Sequence, residues 1–292
     1  MHISLDTCLT PNEIKAHTFA RDENYRTALN DARQCWTSSA SLHRFLWNIS
    51  SLLLRPDAIA GGESVRVLPV LRQLGCIPVC ARPVQLSLSQ TRELWRYQAN
   101  VSTQERLRLL DLIMTSGQSL YILFRDLTQR MSAPATVHLT YLKGTAIVKN
   151  RRASHLRTLA GPRISNILSY VHIADDPADM MREMMLLFPQ RRWLSLLQEA
   201  QQETDRTDSV HSLLAALQER LPKGLLTSSQ EAESMPPCPL RRRWQHIVTM
   251  SQSCRVFIDG DSYDSCATTV PDDRKFSLPL DNHLIFREFG AW

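Results

Sequence analysis

The chain has 292 residues, 43% of them hydrophobic, and a net charge of +5, enough for a core of ordinary size and too modest a basic excess to require nucleic acid, although it suits anionic ligands. Seven cysteines, odd in number and irregularly spaced, argue against a disulfide framework and point to a reducing, cytoplasmic compartment. No leader of basic then apolar residues opens the sequence, and the apolar runs at 52–54 and 184–188 fall far short of the roughly 20 residues a membrane span needs, so no span is expected.

Residues 11–48 show helical periodicity, with Ala28, Leu29, Ala32 and Trp36, then Leu42, Phe45 and Leu46, repeating every three to four positions. From Ser50 the pattern changes to a short apolar strand, a Gly61-Gly62 turn, a helix over about 63–74 and a strand over 77–86. Cys76 and Cys80 fall on this strand without a second ligand pair at zinc spacing, so they read as buried thiols. Helices are predicted over 89–98 and 103–114, a strand over 120–124, a helical segment before Gly144, a loop rich in basic residues, and a strand running into Val171. The next helix is the best defined. Asp175 or Asp176 can cap it, Pro177 suits its first turn, and Met180, Met184 and Leu187 or Phe188 repeat at core spacing.

Two more amphipathic helices follow, one carrying Trp193, Leu196, Leu197 and Ala200, the other Leu213, Leu214, Leu217 and Leu221. Residues 227–239 read as a linker, Arg241-Arg242-Arg243-Trp244 opens the last section as a solvated basic run, a strand is predicted over 254–258, and Asp259-Gly260-Asp261 reads as a plain acidic turn. The order suggests a helical N-terminal extension (1–49), a central domain (50–189) and a C-terminal extension (190–292) of unassigned role.

The chemistry concentrates at His172, which ends an apolar stretch, opens an acidic turn and precedes Glu183 by 11 positions. That spacing suits a histidine at a strand end with an orienting carboxylate on the following helix. A neutral imidazole is a good nucleophile toward phosphorus, and a carboxylate on one ring nitrogen fixes the tautomer that leaves the other free to attack. The positive end of that helix would favour a phosphate nearby.

A series of motifs in fixed order resembles the nucleoside diphosphate kinase family over about 50–189. Arg55-Pro56-Asp57-Ala58 resembles its Lys-Pro-Asp-Ala signature; Leu86-Ser87 and the helical stretch with Tyr97 resemble its segment with a tyrosine near the active site. Met114-Thr115-Ser116-Gly117 resembles its Met-x-Ser-Gly turn, and Leu142-Lys143-Gly144 its Leu-x-Gly before the nucleotide loop. Arg157 stands 13 residues beyond Gly144, where the family keeps a phosphate-binding arginine, and His172-Ile173-Ala174-Asp175 resembles its His-Gly-Ser-Asp turn. The resemblance implies a ferredoxin-like α+β core, and a γ-phosphoryl transfer from a nucleoside triphosphate through a phosphohistidine to a nucleoside diphosphate or related acceptor, with magnesium on the phosphates. It further implies oligomerisation, His172 and Glu183 as the catalytic pair, and Arg55, Tyr97, Arg157, Arg163 and Asp175 around the nucleotide. The sequence departs from the pattern at Arg55, Thr140, Ala146, Ser169 and Ile173-Ala174, where lysine, arginine, threonine, asparagine and Gly-Ser are expected; Lys143, Thr145, Arg151 and Arg163 are candidate substitutes. These departures support an alternative reading, a catalytically weakened nucleotide-binding or protein-interaction module on the same fold.

Overall fold

A computed structural model describes residues 9–10, 12–128, 133–189, 191–226, 236 and 238–254. The helices α1 (Glu13–Phe19), α2 (Glu23–Cys35) and α3 (Ser39–Trp47) precede the first strand. Each starts where a short polar side chain can satisfy an amide that helical bonding leaves unpaired: Asn12, Asp22 and Ser38 accept from the backbone N–H groups of Lys15, Tyr25 and Ser41. The periodicity read from the sequence covers all three.

The strand β1 (Ile49–Leu54) is buried at every position, so it has cover on both faces and belongs in the middle of a sheet. It pairs antiparallel with β3 (Ser119–Asp126) on one side and with the two-residue β4 (Val171–His172) on the other, while β2 (Cys76–Val84) pairs antiparallel with the outer side of β3. The order β2-β3-β1-β4, with helices crossing from β1 to β2 and from β3 to β4, is the split βαβ arrangement of a ferredoxin-like α+β fold. Cys76 and Cys80 are buried, and burial first of all pushes the Cys80 thiol up to about 12.

Between the strands run α4 (Pro56–Gly61), α5 (Val67–Gln73), α6 (Leu88–Leu94), α7 (Gln104–Met114), α8 (Ala135–Lys143) and the single turn α9 (Leu156–Leu159). The predicted helix over 63–74 begins as a 3-10 turn at Ser64–Arg66. The strand predicted to 86 stops at Val84, because Ser87 and Gln90 form a reciprocal cap that starts α6. The helix predicted over 89–98 ends at Leu94 and continues as a 3-10 segment, Arg96–Val101.

Beyond His172 come α10 (Pro177–Leu187), α11 (Arg192–Gln201) and α12 (Thr207–Glu219), the last two lying against β2. A helix that the sequence reading omitted, α13 (Pro239–Ser253), absorbs the basic run: Arg241, Trp244, Ile247, Val248 and Ser251 are its buried face, so Arg241 is not part of a solvated face. The predicted strand at 254–258 and acidic turn at 259–261 lie outside the described residues. Trp193 on α11 and Trp244 on α13 are fully buried, so both C-terminal elements join the hydrophobic core of the sheet domain.

Candidate functional site

His172 is the last residue of β4 and pairs across the sheet with Leu53. The chain then turns through 173–176 into α10, whose first free amides are met by the Asp176 side chain, which accepts from the Asp179 N–H at 3.0 Å, and whose first residue is Pro177. Glu183, on the same helix, returns to the histidine: its Oε1 lies 2.8 Å from His172 Nε2. Both side chains are largely withdrawn from water, at 14% and 7% exposure. Because a carboxylate accepts, the neutral ring carries its proton on Nε2 and keeps its lone pair on Nδ1. Among the described residues Nδ1 has no hydrogen-bond partner. Trp95 packs against the ring edge-on, with centroids 5.4 Å apart and planes at 72°.

The approach to His172 is held tightly. Tyr170 has φ of 62°, a left-handed conformation uncommon for a bulky residue. Its N–H donates to Asp57 Oδ2 at 3.0 Å, its carbonyl accepts from the Arg55 N–H at 2.9 Å, and its hydroxyl donates to the Pro162 carbonyl. Its ring lies so close to Gly161 that a Cβ there would sit 2.6 Å from a ring carbon.

Of the three arginines expected around a phosphate, two are buried and one is exposed. Arg55 is buried and commits its fork internally: Nε to Asp57 at 3.1 Å, Nη1 to the Ser169 hydroxyl, and Nη2 to the Ile167 carbonyl at 3.2 Å. It ties the end of β1 to the segment before β4, and a planar guanidinium can make this three-way tie where an ammonium would not. Arg157 is buried and donates to the Gly144 carbonyl, whereas Arg163 is exposed. Arg151 donates Nη2 to the Ala146 and Leu168 carbonyls at 2.8 and 3.1 Å. Burial, then the neighbouring Arg157, lowers its pKa to about 9. Burial and the surrounding arginines likewise depress His155.

On the other flank Lys143, at the end of α8, donates to Asp175 Oδ1 at 3.1 Å and to the Ile173 carbonyl at 3.3 Å, and the Thr140 hydroxyl donates to the Ala174 carbonyl at 3.0 Å. Two side chains of one helix thus fix the turn after the histidine. Burial works to raise the Asp175 pKa, but Lys143, Lys15 and His172 outweigh it and hold the carboxyl below its ordinary value.

Tyr97, expected near the nucleotide, packs against the N-terminal segment. Its hydroxyl donates to Asp22 Oδ2 at 2.7 Å, and the Arg182 guanidinium lies over its ring at 4.8 Å. At the start of α10, Asp176 caps the helix from within, and the Lys15 ammonium of α1, itself fully buried, sits on Asp176 at 2.6 Å and also bonds Asp179. Glu183, Asp175, Asp176 and Asp179 therefore have imidazole or lysine partners already, so this donor set does not fit a magnesium ion held by the protein.

Lys15, Asp22 and Trp95 were not singled out by sequence reasoning. Lys15 and Asp22 meet partners 161 and 160 residues away, and no local spacing reports such pairs. Trp95 stands two residues before Tyr97 on the same segment, so its neighbourhood was legible though its orientation was not.

No family model and no curated protein matches the sequence. Among solved structures, the chain is similar to a nucleoside diphosphate kinase from Encephalitozoon cuniculi in its apo form, at 14% identity and a TM-score of 0.41, covering 49% of this chain and 90% of that one. It is similar to a halophilic nucleoside diphosphate kinase from Halobacterium salinarum in complex with CDP, at 16% identity and a TM-score of 0.40, covering 49% and 88%. A Pyrobaculum aerophilum NDP kinase gives 18% identity and a TM-score of 0.39, covering 49% and 97%. Likeness at this level assigns neither a family nor an activity to the chain.

Proposed function

We propose that the chain is a phosphotransferase that carries a phosphoryl group on His172. The observation that supports this reading is the 2.8 Å contact between His172 Nε2 and Glu183 Oε1, with Nδ1 left unengaged beside it. In the proposed step the Nδ1 lone pair attacks the γ-phosphorus of a nucleoside triphosphate, a P–N bond forms, and the bond to the bridging oxygen breaks with its electrons leaving on the nucleoside diphosphate. Positive charge develops on the ring as it attacks. Glu183, already hydrogen-bonded to Nε2–H, stabilises it. In the second half an acceptor oxygen attacks phosphorus and the P–N electrons return to Nδ1, restoring the free imidazole. Holding the triphosphate falls to the basic loop after Gly144, where Arg163 is exposed and Arg157 and Thr145 lie nearby in sequence; magnesium enters as the counter-ion of the nucleotide. Cytoplasmic location and homo-oligomerisation belong to the same proposal.

A second reading has its own support: Arg55 is consumed by Asp57, Ser169 and Ile167, and Tyr97 by Asp22. A protein that kept the fold to bind nucleotides or partners, without turnover, would tolerate both. Incubation with γ-labelled ATP separates the readings. Acid-labile, alkali-stable label on the protein, absent from His172→Ala, supports the phosphotransferase; nucleotide binding without label supports the module.

A further inference from the structure

The helix that carries Glu183 is gripped from the N-terminal segment at two points. At its start, Lys15 of α1 bonds Asp176 at 2.6 Å and Asp179 as well, with Lys15 and Asp176 both at 0% side-chain exposure. Immediately before Glu183, Arg182 Nε donates to Asp22 Oδ2 at 2.7 Å, this pair being 2% and 1% exposed. The same Asp22 carboxylate caps α2 through the Tyr25 N–H and accepts the Tyr97 hydroxyl. Between the two grips the Phe19 ring packs at a tilt against Tyr25 and Tyr97, and α2 packs along α10.

Ion pairs buried this fully cannot be broken one-sidedly without stranding a charge away from water, so the two grips fix both the rotation and the axial position of α10. Glu183 follows Arg182 directly, so a rotation that moves one moves the other. The acidic start of the helix carries Asp175, Asp176 and Asp179, and Asp175 interacts electrostatically with the ring that is to receive a phosphoryl dianion. Lys15 supplies a buried positive charge to that cluster. Burial alone would lower the Lys15 pKa, but Asp176 and Asp179 outweigh it and hold the ammonium above the ordinary lysine value.

We infer that the N-terminal segment is a working part of the His172 site, with Lys15 and Asp22 as positioning residues that set the Glu183 carboxylate on His172 Nε2 and offset the acidic helix start. The inference rests on the phosphohistidine reading for its kinetic consequence and on geometry alone for its spectroscopic one. It also accounts for Tyr97, whose hydroxyl serves Asp22.

The test uses the full chain with Lys15→Met, Asp22→Asn and the conservative Lys15→Arg, each checked for native circular dichroism. Nitrogen-15 imidazole spectra, with His172 assigned by His172→Gln, report the tautomer; phosphoryl transfer from labelled ATP reports turnover. In the wild type His172 shows a protonated Nε2 and a bare Nδ1. In Lys15→Met and Asp22→Asn that signature is expected to collapse toward a tautomer mixture, with turnover falling at least about tenfold while half-saturation by nucleotide changes less than about twofold, and Lys15→Arg recovering most of both. Folded variants that keep the wild-type tautomer and turnover overturn the inference. Should both variants fail to fold, Tyr97→Phe, which removes one hydrogen bond from Asp22 and keeps the ring, decides the matter: a shifted His172 tautomer supports the inference and an unchanged one overturns it. A wild type with the expected tautomer but no label sinks the phosphotransferase and leaves the positioning claim to the spectra.

Discussion

Replacing Gly161 by alanine places a methyl carbon 2.6, 2.7 and 2.8 Å from three ring carbons of Tyr170, about 1 Å inside the ordinary contact distance for carbon. The ring has nowhere easy to go. Tyr170 is 0% exposed, its hydroxyl is held by Pro162, and its backbone is tied to Asp57 and Arg55 while sitting at φ of 62°. Overpacking of a well-filled site costs about 1–3 kcal/mol, which for a protein of this size lowers the melting temperature by roughly 2–4 °C per kcal/mol. Because Tyr170 stands two residues before His172, the displacement is also expected to disturb the contact with Glu183. Gly62 supplies the control: its φ is +73° with nothing within 4 Å of an added Cβ, so alanine there carries only the left-handed penalty of about 1 kcal/mol and leaves His172 untouched. Urea unfolding of both variants, with the His172 imidazole spectrum recorded on each, checks this. Gly161→Ala with wild-type stability and an unchanged imidazole would refute the claim that Tyr170 is locked; with the lock real, Tyr170→Leu in the Gly161→Ala background recovers stability non-additively, by about 0.5–3 kcal/mol.

Arg55→Met is expected to destabilise by about 3–5 kcal/mol, because it leaves the buried Asp57 carboxylate without its cation, and Arg55→Lys restores little because an ammonium cannot span Asp57, Ser169 and Ile167 together. Wild-type stability with nucleotide affinity lost, measured by urea unfolding and titration, would return Arg55 to phosphate binding. Asp22→Asn is expected to cost about 1.5–3 kcal/mol at neutral pH, the range for a hydrogen bond to a charged group. Burial opposes ionisation of Asp22, but Arg182, the hydrogen bonds from Arg182 and Tyr97, and the Tyr25 N–H hold its pKa below 3.8. A carboxyl depressed in the folded state contributes stability that is present above its unfolded value and lost as pH falls through the folded one. The variant's stability is therefore expected to converge on the wild type's at strongly acid pH, and a gap between the two unfolding midpoints that stays constant from about pH 7 to about pH 2 would contradict it. Glu183→Gln is expected to lower phosphoryl transfer by at least about tenfold through loss of the tautomer preference, read as turnover of labelled ATP; equal turnover would remove Glu183 from the mechanism.

What the sequence disclosed and what it hid divide along the range of the interactions. The alternation of strands and helices from Ser50 to His172 follows from local hydrophobic pattern and caps, and the sheet order agrees with the fold class expected from it. The meeting of His172 with Glu183 is nearly local too, since a strand end, a capped turn and a helix of known rise determine where position 183 falls. Arg55 and Tyr97 were read by motif position, but their partners, Ser169 and Asp22, lie 114 and 75 residues away in sequence, and which polar group a buried side chain selects is settled by tertiary packing. Burial of Lys15 had no local signal, because lysine is usually exposed and only its two acids make it otherwise. The helix at Pro239–Ser253 is a different kind of miss. Trp244, Ile247, Val248 and Ser251 repeat at helical spacing, a periodicity that begins within the run of three arginines and is partly masked by their charge.

The central claim is that His172 carries phosphate because Glu183 holds its ring. Phosphorus-31 NMR of the protein after incubation with ATP, on wild type and on His172→Ala and Glu183→Gln, tests it most directly. A phosphoramidate resonance assigned to the Nδ1 position in the wild type, absent from the first variant and strongly reduced in the second, is the predicted result; no such resonance in the wild type, or one that survives His172→Ala, would contradict the account.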